Sequence, residues 1–104
     1  MNDKMLTLGQ VLQDKYTIDK ELGRGGFAIT YLAQNRGGDK IAIKILKDLD
    51  PTQSDYLKNK NNFLNEALKL KTVERPNIVK VYDIVEEPNN IIGIVMEYRT
   101  HLRS

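Results

Sequence analysis

The stretch that decides the fold lies at residues 23–31 and reads Gly23-Arg24-Gly25-Gly26-Phe27-Ala28-Ile29-Thr30-Tyr31. Before it, Tyr16, Ile18 and Leu22 alternate loosely with polar residues and predict a first strand, which the glycines then end. After it, residues 30–33 are rich in strand formers and predict a second strand. The pattern therefore indicates two strands joined by a glycine-rich turn.

This glycine-rich turn has four interpretations when it is taken alone. A dinucleotide-binding fold would use the glycines to open a helix, but the β-branched residues that follow favour a strand. A P-loop NTPase would end the loop with Gly-Lys-Ser/Thr, and that motif is missing here. A hairpin that folds over the phosphates of a nucleotide and an ordinary glycine-rich hairpin remain about equally plausible.

The rest of the chain predicts three further strands and one helix. Residues 35–39 contain two glycines and form a turn before a third strand at 41–46. Apolar residues recur at helical spacing between 55 and 73, and this periodicity predicts the helix. Strand patterns follow at 78–85 and 91–98. We therefore predict an α+β fold with a five-stranded antiparallel sheet and one main helix.

Composition excludes several kinds of function. The 104 residues fit one small domain, and we divide them into a lead-in segment (1–14), the domain (15–98) and a tail (99–104). The sequence has no cysteine and a single histidine, which excludes disulfides, thiolate metal sites and histidine clusters. A net charge of +2 with scattered lysines gives no basis for nucleic-acid binding. No apolar run suits a signal peptide or a membrane span, so we expect a cytoplasmic protein.

Further motifs follow the glycine-rich turn in a definite order. They are Ala42-Ile43-Lys44 in the third strand, Glu66 in the helix, Pro76-Asn77-Ile78-Val79, and Val95-Met96-Glu97-Tyr98. Taken singly, each has a plain explanation, such as a solvated lysine or glutamate. Together, across residues 16–98, they resemble the N-terminal lobe of a serine/threonine protein kinase. The variant Gly-Gly-Phe-Ala-Ile-Thr-Tyr-Leu-Ala looks most like bacterial kinases of the cyanobacterial type.

The resemblance implies a role for each matching residue. The candidate catalytic residues are Lys44, which would contact the α- and β-phosphates of ATP, and Glu66, which would hold Lys44 in an ion pair. The Glu97 carbonyl and the Arg99 N–H would bind the adenine edge, with Met96 behind the base. The backbone N–H groups from Gly25 to Ala28 would hold the phosphate oxygens. The other implied nucleotide-binding residues are Leu22, Gly23, Arg24, Gly25, Gly26, Phe27, Ala28, Ile29, Thr30 and Ala42.

The catalytic loop of the family has no counterpart in this sequence. Ala28 replaces the usual third glycine, and Arg75 replaces a frequent histidine. After Tyr98 only six residues remain, without the His-Arg-Asp and Asp-Phe-Gly motifs that orient the substrate hydroxyl and hold magnesium. We predict no metal ligand in this chain, and magnesium only with a C-terminal lobe. Phosphoryl transfer to protein Ser/Thr would need that lobe.

Two other functional hypotheses stay open: a non-catalytic interaction module and an inactive, truncated kinase fragment. Of these two, we favour the truncated fragment. The expected partners are ATP, a C-terminal lobe or another kinase chain, and a second copy of this chain. Self-association is expected because Leu70 and Val81, which match the apolar spine of the family, would face water without a C-terminal lobe, together with parts of Ile43 and Met96.

Overall fold

The computed structural model describes residues 6–25, 28–46, 52, 56–71, 79–87 and 91–99. Within these ranges the elements are β1 (Val11–Leu12), β2 (Tyr16–Arg24), β3 (Ala28–Gln34), β4 (Lys40–Leu46), α1 (Tyr56–Lys71), β5 (Val81–Glu87) and β6 (Ile91–Glu97). The six strands form one antiparallel sheet in the order β1-β2-β3-β4-β6-β5. The predicted α+β fold is confirmed, with six strands in place of five.

The sixth strand, β1, lies in the segment that the sequence pattern assigns to a lead-in. It pairs with β2, and its Leu12 is almost completely buried. The turn between the two strands is closed by a hydrogen bond from the Lys15 N–H to the Leu12 carbonyl at 2.9 Å. Gln13 and Asp14 both adopt positive φ there, at 53° and 56°. A turn of this kind normally uses glycine or asparagine, so the sequence lacked the usual signal.

The glycine-rich stretch also ends β2 later than predicted. Gly23 and Arg24 do not interrupt the strand, because they pair with Thr30 and Ile29 of β3. The register shifts twice along β2, once between Ile18 and Lys20 and once between Glu21 and Gly23. Bulges of this kind increase the twist of a strand and redirect side chains.

One face of the sheet closes around the main core. Alternate residues of β2, β3, β4 and β6 point into it, as the two-residue period of strands requires. The sheet also curls so that its two edges approach each other. A hydrogen bond at 2.8 Å, which Tyr16 Oη on β2 donates to Asp83 Oδ2 on β5, joins them. The β1–β2 turn adds a bond from Gln13 Nε2 to the Glu86 carbonyl at 2.9 Å. The buried residues of this core are Leu6, Leu12, Tyr16, Ile18, Ile29, Tyr31, Ala33, Ile41, Ile43, Ile45, Val85, Ile91 and Val95.

The other face of the sheet carries α1. Ala67 in the second half of the helix is completely buried, and Phe63 packs with Leu46 and Ile92. Ala67 also forms a second cluster with Val81 and Ile94, against which Leu70 and Met96 pack. The helix thus covers the half of this face formed by β5 and β6.

This packing corrects the expectation that Leu70 and Val81, with parts of Ile43 and Met96, face water. Val81 is 2% exposed and Ile43 is completely buried, whereas Leu70 and Met96 are partly buried. Among the described residues, the large apolar side chains that do face solvent are Leu8, Val11, Leu22, Leu57, Leu68 and Tyr82.

Candidate functional site

Strand register places four of the predicted nucleotide-binding residues on one face of the sheet. Thr30 of β3 lies directly opposite Lys44 of β4, and Ala42 of β4 lies directly opposite Met96 of β6. Because side chains alternate along a strand, Ala42 and Lys44 share a face, and so do their partners. This is the face that carries α1, opposite to the main core. The two middle strands therefore bring Thr30, Ala42, Lys44 and Met96 together.

A cavity of about 240 Å³ lies between β4 and α1. Lys44 and Glu66, the predicted catalytic pair, both line it. Both side chains belong to exposed residues, and no ion pair joins them in the part of the chain that the structure describes. The complete lining is Ala28, Lys44, Leu46, Asn59, Asn62, Phe63 and Glu66. The fold brings the pair to one cavity without joining the charges.

Two asparagines of this lining were missed by the sequence analysis. Asn59 and Asn62 precede Glu66 by seven and four residues, so they lie on the same side of α1. This spacing could have predicted that both asparagines lie near Glu66. Asparagine is common on solvated helix surfaces, however, and the kinase motifs include only Glu66. Their carboxamides add hydrogen-bond donors and acceptors to the cavity beside Lys44.

The β2–β3 turn forms one border of this face. The Gly25 N–H donates to the Ala28 carbonyl at 2.8 Å and closes the hairpin, while Gly26 and Phe27 lie outside the described residues. Among the described residues, a Cβ added to Gly23 would meet nothing within 4 Å. Packing against the described residues therefore does not require a glycine at this position.

Other predicted residues of this hairpin differ in where they point. Leu22 lies at the second register shift of β2 and is 40% exposed, so its apolar side chain is accessible to a ligand. Ile29, in contrast, is completely buried in the main core, and its side chain does not reach the site. Arg24 pairs through two nitrogens with Glu21, at 2.9 Å each. This hydrogen bond holds the pKa of the Glu21 carboxyl below its ordinary value.

The segment after β6 is tied to the start of β5. The Glu97 N–H donates to the Lys80 carbonyl at 2.8 Å. The Glu97 side-chain Oε1 accepts from Arg99 Nη2 at 3.1 Å and from the Lys80 N–H at 3.2 Å. These bonds, that of Arg99 first, lower the pKa of the Glu97 carboxyl, which is therefore ionised at neutral pH. Residues predicted to bind the adenine edge are thus held by a defined polar contact.

A model of the protein kinase domain matches residues 16–103 of this chain. The chain belongs to the protein kinase family. Serine/threonine protein kinases are among its curated relatives, and the chain corresponds to the N-terminal portion of their kinase domain. The resemblance inferred from the motifs is confirmed at this level, whereas the likeness to cyanobacterial kinases stays a prediction.

Individual relatives cover most of the chain. The serine/threonine-protein kinase PrkC of Bacillus subtilis is 35% identical over 94 residues, which are 89% of this chain and 14% of PrkC. The CBL-interacting serine/threonine-protein kinase 24 of Arabidopsis thaliana is 35% identical over 103 residues, 96% of this chain and 21% of that kinase. The chain therefore spans a small part of the length of these relatives.

Solved kinase domains share the fold. The crystal structure of a mutant form of the Mycobacterium tuberculosis PknI kinase domain superposes with a TM-score of 0.71 at 25% identity. The match covers 92% of this chain and 37% of that one. A second kinase domain, PF14_0431, superposes with a TM-score of 0.70 at 17% identity. At this level of identity, the match supports a shared fold only.

The described residues contain neither a membrane-spanning helix nor a candidate metal site. No helix in that part of the chain is long and apolar enough to cross a membrane. No group of three or more histidine, cysteine, aspartate or glutamate side chains is arranged there to hold a metal ion.

Proposed function

We propose that this chain binds ATP as the N-terminal lobe of a serine/threonine protein kinase, and that phosphoryl transfer to protein Ser/Thr occurs only when a C-terminal lobe is supplied. The observation that carries the proposal is the placement of Lys44. It lies opposite Thr30 on the face bordered by the glycine hairpin, and it lines one cavity with Glu66. A cytoplasmic location is part of the same proposal.

The residues present suit a polyphosphate. Lys44 supplies a positive charge that no described side chain neutralises by an ion pair. The open space at Gly23 lets a ligand approach the backbone of the hairpin. Leu22, which is 40% exposed, supplies apolar surface for a base, whereas Ala42 is only 6% exposed. The carbonyl of Glu97 and the N–H of Arg99 would supply the hydrogen-bond partners of the base. Lys44 would hold the α- and β-phosphates, with Glu66 drawn towards it once the helix moves.

The same residues do not suit magnesium. The described part of the chain holds no cluster of metal-binding side chains, and the sequence has no Asp-Phe-Gly motif. The residues that hold the metal and orient the substrate hydroxyl in this family belong to the C-terminal lobe. We therefore assign binding and orientation of the nucleotide to this chain, and place the chemistry at an interface with a second lobe.

A titration of the ¹⁵N-labelled chain with ATP, followed by NMR, tests the binding proposal. We expect a dissociation constant above about 1 mM, because an N-terminal lobe encloses only part of a nucleotide. Shifts should concentrate at residues 22–30, 42–44 and 97–99. Lys44→Met should weaken binding several-fold, whereas Lys40→Met, on the same face at the exposed start of β4, should not.

Micromolar affinity would refute the weak-site argument, and no shift at 20 mM ATP would refute nucleotide binding. The catalytic part of the proposal needs a second assay, in which the chain is fused to the C-terminal lobe of PrkC. We expect transfer of radiolabelled phosphate to a protein substrate by the fusion and none by the chain alone. Transfer that survives Lys44→Met and Glu66→Ala would contradict the assigned roles.

A non-catalytic interaction module is the second candidate. It is favoured by two leucines on α1, Leu57 and Leu68, which are 62% and 51% exposed. Apolar side chains on an exposed helix face can mark a docking surface. Retained binding of a kinase C-terminal lobe in Lys44→Met, combined with its loss in a Leu57→Lys, Leu68→Lys double variant, would support this function over the catalytic one.

A further inference from the structure

The hydrogen bonds at the end of β6 differ from those of a regular antiparallel ladder. Val81 is paired with Met96, so the next pair outward is Lys80 with Glu97. In a hydrogen-bonded pair of antiparallel residues, each N–H donates to the carbonyl of the other. The Glu97 N–H does so, to the Lys80 carbonyl at 2.8 Å. The return bond, from the Lys80 N–H to the Glu97 carbonyl, is absent from the described residues.

The Glu97 side chain replaces this missing bond. The Lys80 N–H donates to Oε1 of the Glu97 carboxylate at 3.2 Å. The same oxygen accepts from Arg99 Nη2 at 3.1 Å. Hydrogen bonds to an ionised acceptor are stronger than those to a neutral carbonyl, so the carboxylate competes well with the main chain for the Lys80 N–H. One oxygen atom therefore joins the start of β5 to the segment that follows β6.

We propose that Glu97 is a positioning residue whose carboxylate takes up the Lys80 N–H, and so leaves the Glu97 carbonyl available to the amino edge of an adenine base. The inference rests on the proposed nucleotide site. A carbonyl that already accepts a bond within the sheet has one of its two lone pairs occupied, and it is aimed at the neighbouring strand rather than at a ligand. The ion pair with Arg99 acts in the same direction, because it restrains residues 97–99, whose N–H and carbonyl groups would meet the base.

NMR of the whole chain can test both parts. The first measurement is the scalar coupling across a hydrogen bond, between the Lys80 ¹⁵N and the carbonyl ¹³C at position 97. We expect no coupling in the wild type, and we expect it to appear in Glu97→Ala, where the Lys80 N–H has only the main-chain carbonyl to bond.

The second measurement compares two probes, adenosine and tripolyphosphate, each titrated into the same variants. Glu97→Ala should weaken adenosine binding roughly 3- to 10-fold, the ratio that one hydrogen bond corresponds to. It should leave tripolyphosphate binding unchanged, because Lys44 and the glycine hairpin lie elsewhere on the face. Glu97→Gln, which keeps an acceptor for the Lys80 N–H, should recover most of the adenosine affinity. Glu86→Gln, which loses an ion pair with Lys60, serves as the matched control.

Three results would overturn the inference. They are a coupling to the main-chain carbonyl in the wild type, adenosine affinity of Glu97→Ala within 1.5-fold of the wild type, and equal weakening of both probes by Glu97→Ala. Failure of the proposed function looks different. In that case the wild type binds neither probe, while the couplings still show the Lys80 N–H on the carboxylate, and the hydrogen-bond arrangement stands without its ligand role.

Discussion

Replacing Gly93 by alanine tests how closely β4, β5 and β6 pack where they meet. Gly93 lies between Ile45 and Val85 in the sheet. A Cβ at this position would lie 2.6 Å from Ile45 Cδ1 and 3.1 Å from the Cγ2 atoms of Ile43 and Val85. The Ile45 Cδ1 is the end of a flexible side chain and can rotate away. The two Cγ2 methyl groups are stiffer, because they belong to β-branched side chains with restricted χ1.

The expected cost follows from these contacts. Overpacking a close-packed core costs about 1–3 kcal/mol. Alanine recovers about 0.4–1 kcal/mol by reducing the freedom of the unfolded chain. The difference leaves Gly93→Ala destabilised by about 1–2 kcal/mol, which corresponds to a fall of roughly 5–15 °C in the melting temperature of a domain of this size.

Urea denaturation followed by circular dichroism measures the free energy of unfolding of each variant. Gly23→Ala is the control, because a Cβ there meets nothing within 4 Å and should not destabilise. Adding Ile45→Val to Gly93→Ala removes the Cδ1 atom of the nearest contact. The double variant should therefore lose less stability than the sum of the two single changes. Unfolding of Gly93→Ala and Gly23→Ala at the same urea concentration would show that the sheet has room for a methyl group at position 93.

Three other predictions concern stability and association. Burial, and then the hydrogen bond to Asp83, raise the pKa of Tyr16 to about 12 from 10.0. The unfolded chain therefore loses this proton at a lower pH than the folded chain does. The contribution of this hydroxyl to the free energy of unfolding, which is fully present below pH 10, should fall as the pH rises from 10 to 12. Urea midpoints of Tyr16→Phe that fall as steeply as those of the wild type would contradict this. Tyr31→Phe removes the 3.0 Å bond from the buried Leu6 N–H and should cost about 1–2 kcal/mol by urea denaturation, and a neutral result would refute it. Sedimentation at tens of micromolar should show self-association through the exposed apolar side chains, and a single monomeric species would exclude it.

Apolar periodicity was sufficient to predict most of the sheet and the helix, because the main core covers one face of the sheet and α1 covers part of the other. β4 shows this well, since Ile41, Ile43 and Ile45 enter the main core while Ala42 and Leu46 are buried on the other face. β1 could not be predicted in the same way. It has two residues, and its turn places ordinary side chains at positive φ, a conformation that is stabilised by contacts with the distant strand β5.

The family resemblance implied an ion pair between Lys44 and Glu66. The structure brings both residues to one cavity, but no ion pair joins them in the described part of the chain. The distance between the two charges depends on the position of α1 relative to the sheet, which the motifs do not determine. The role of Glu97 was also only half predicted. Its carbonyl was expected at the site, but the bond between its carboxylate and Lys80 depends on a register between β5 and β6 that residue types do not reveal.

The contact between the two ends of the sheet has a consequence for the order of folding. The bonds from Tyr16 to Asp83 and from Gln13 to Glu86 join residues that are 67 and 73 positions apart in the sequence. Contacts this distant require closure of a long loop, and they form after local hairpins. A ribosome adding roughly 5–20 residues per second needs about 4–15 s to make the intervening chain. During that interval the β1–β2 turn and Tyr16 lack these two partners, so the bonds that join the two ends of the sheet can form only after residues 83–86 have been made.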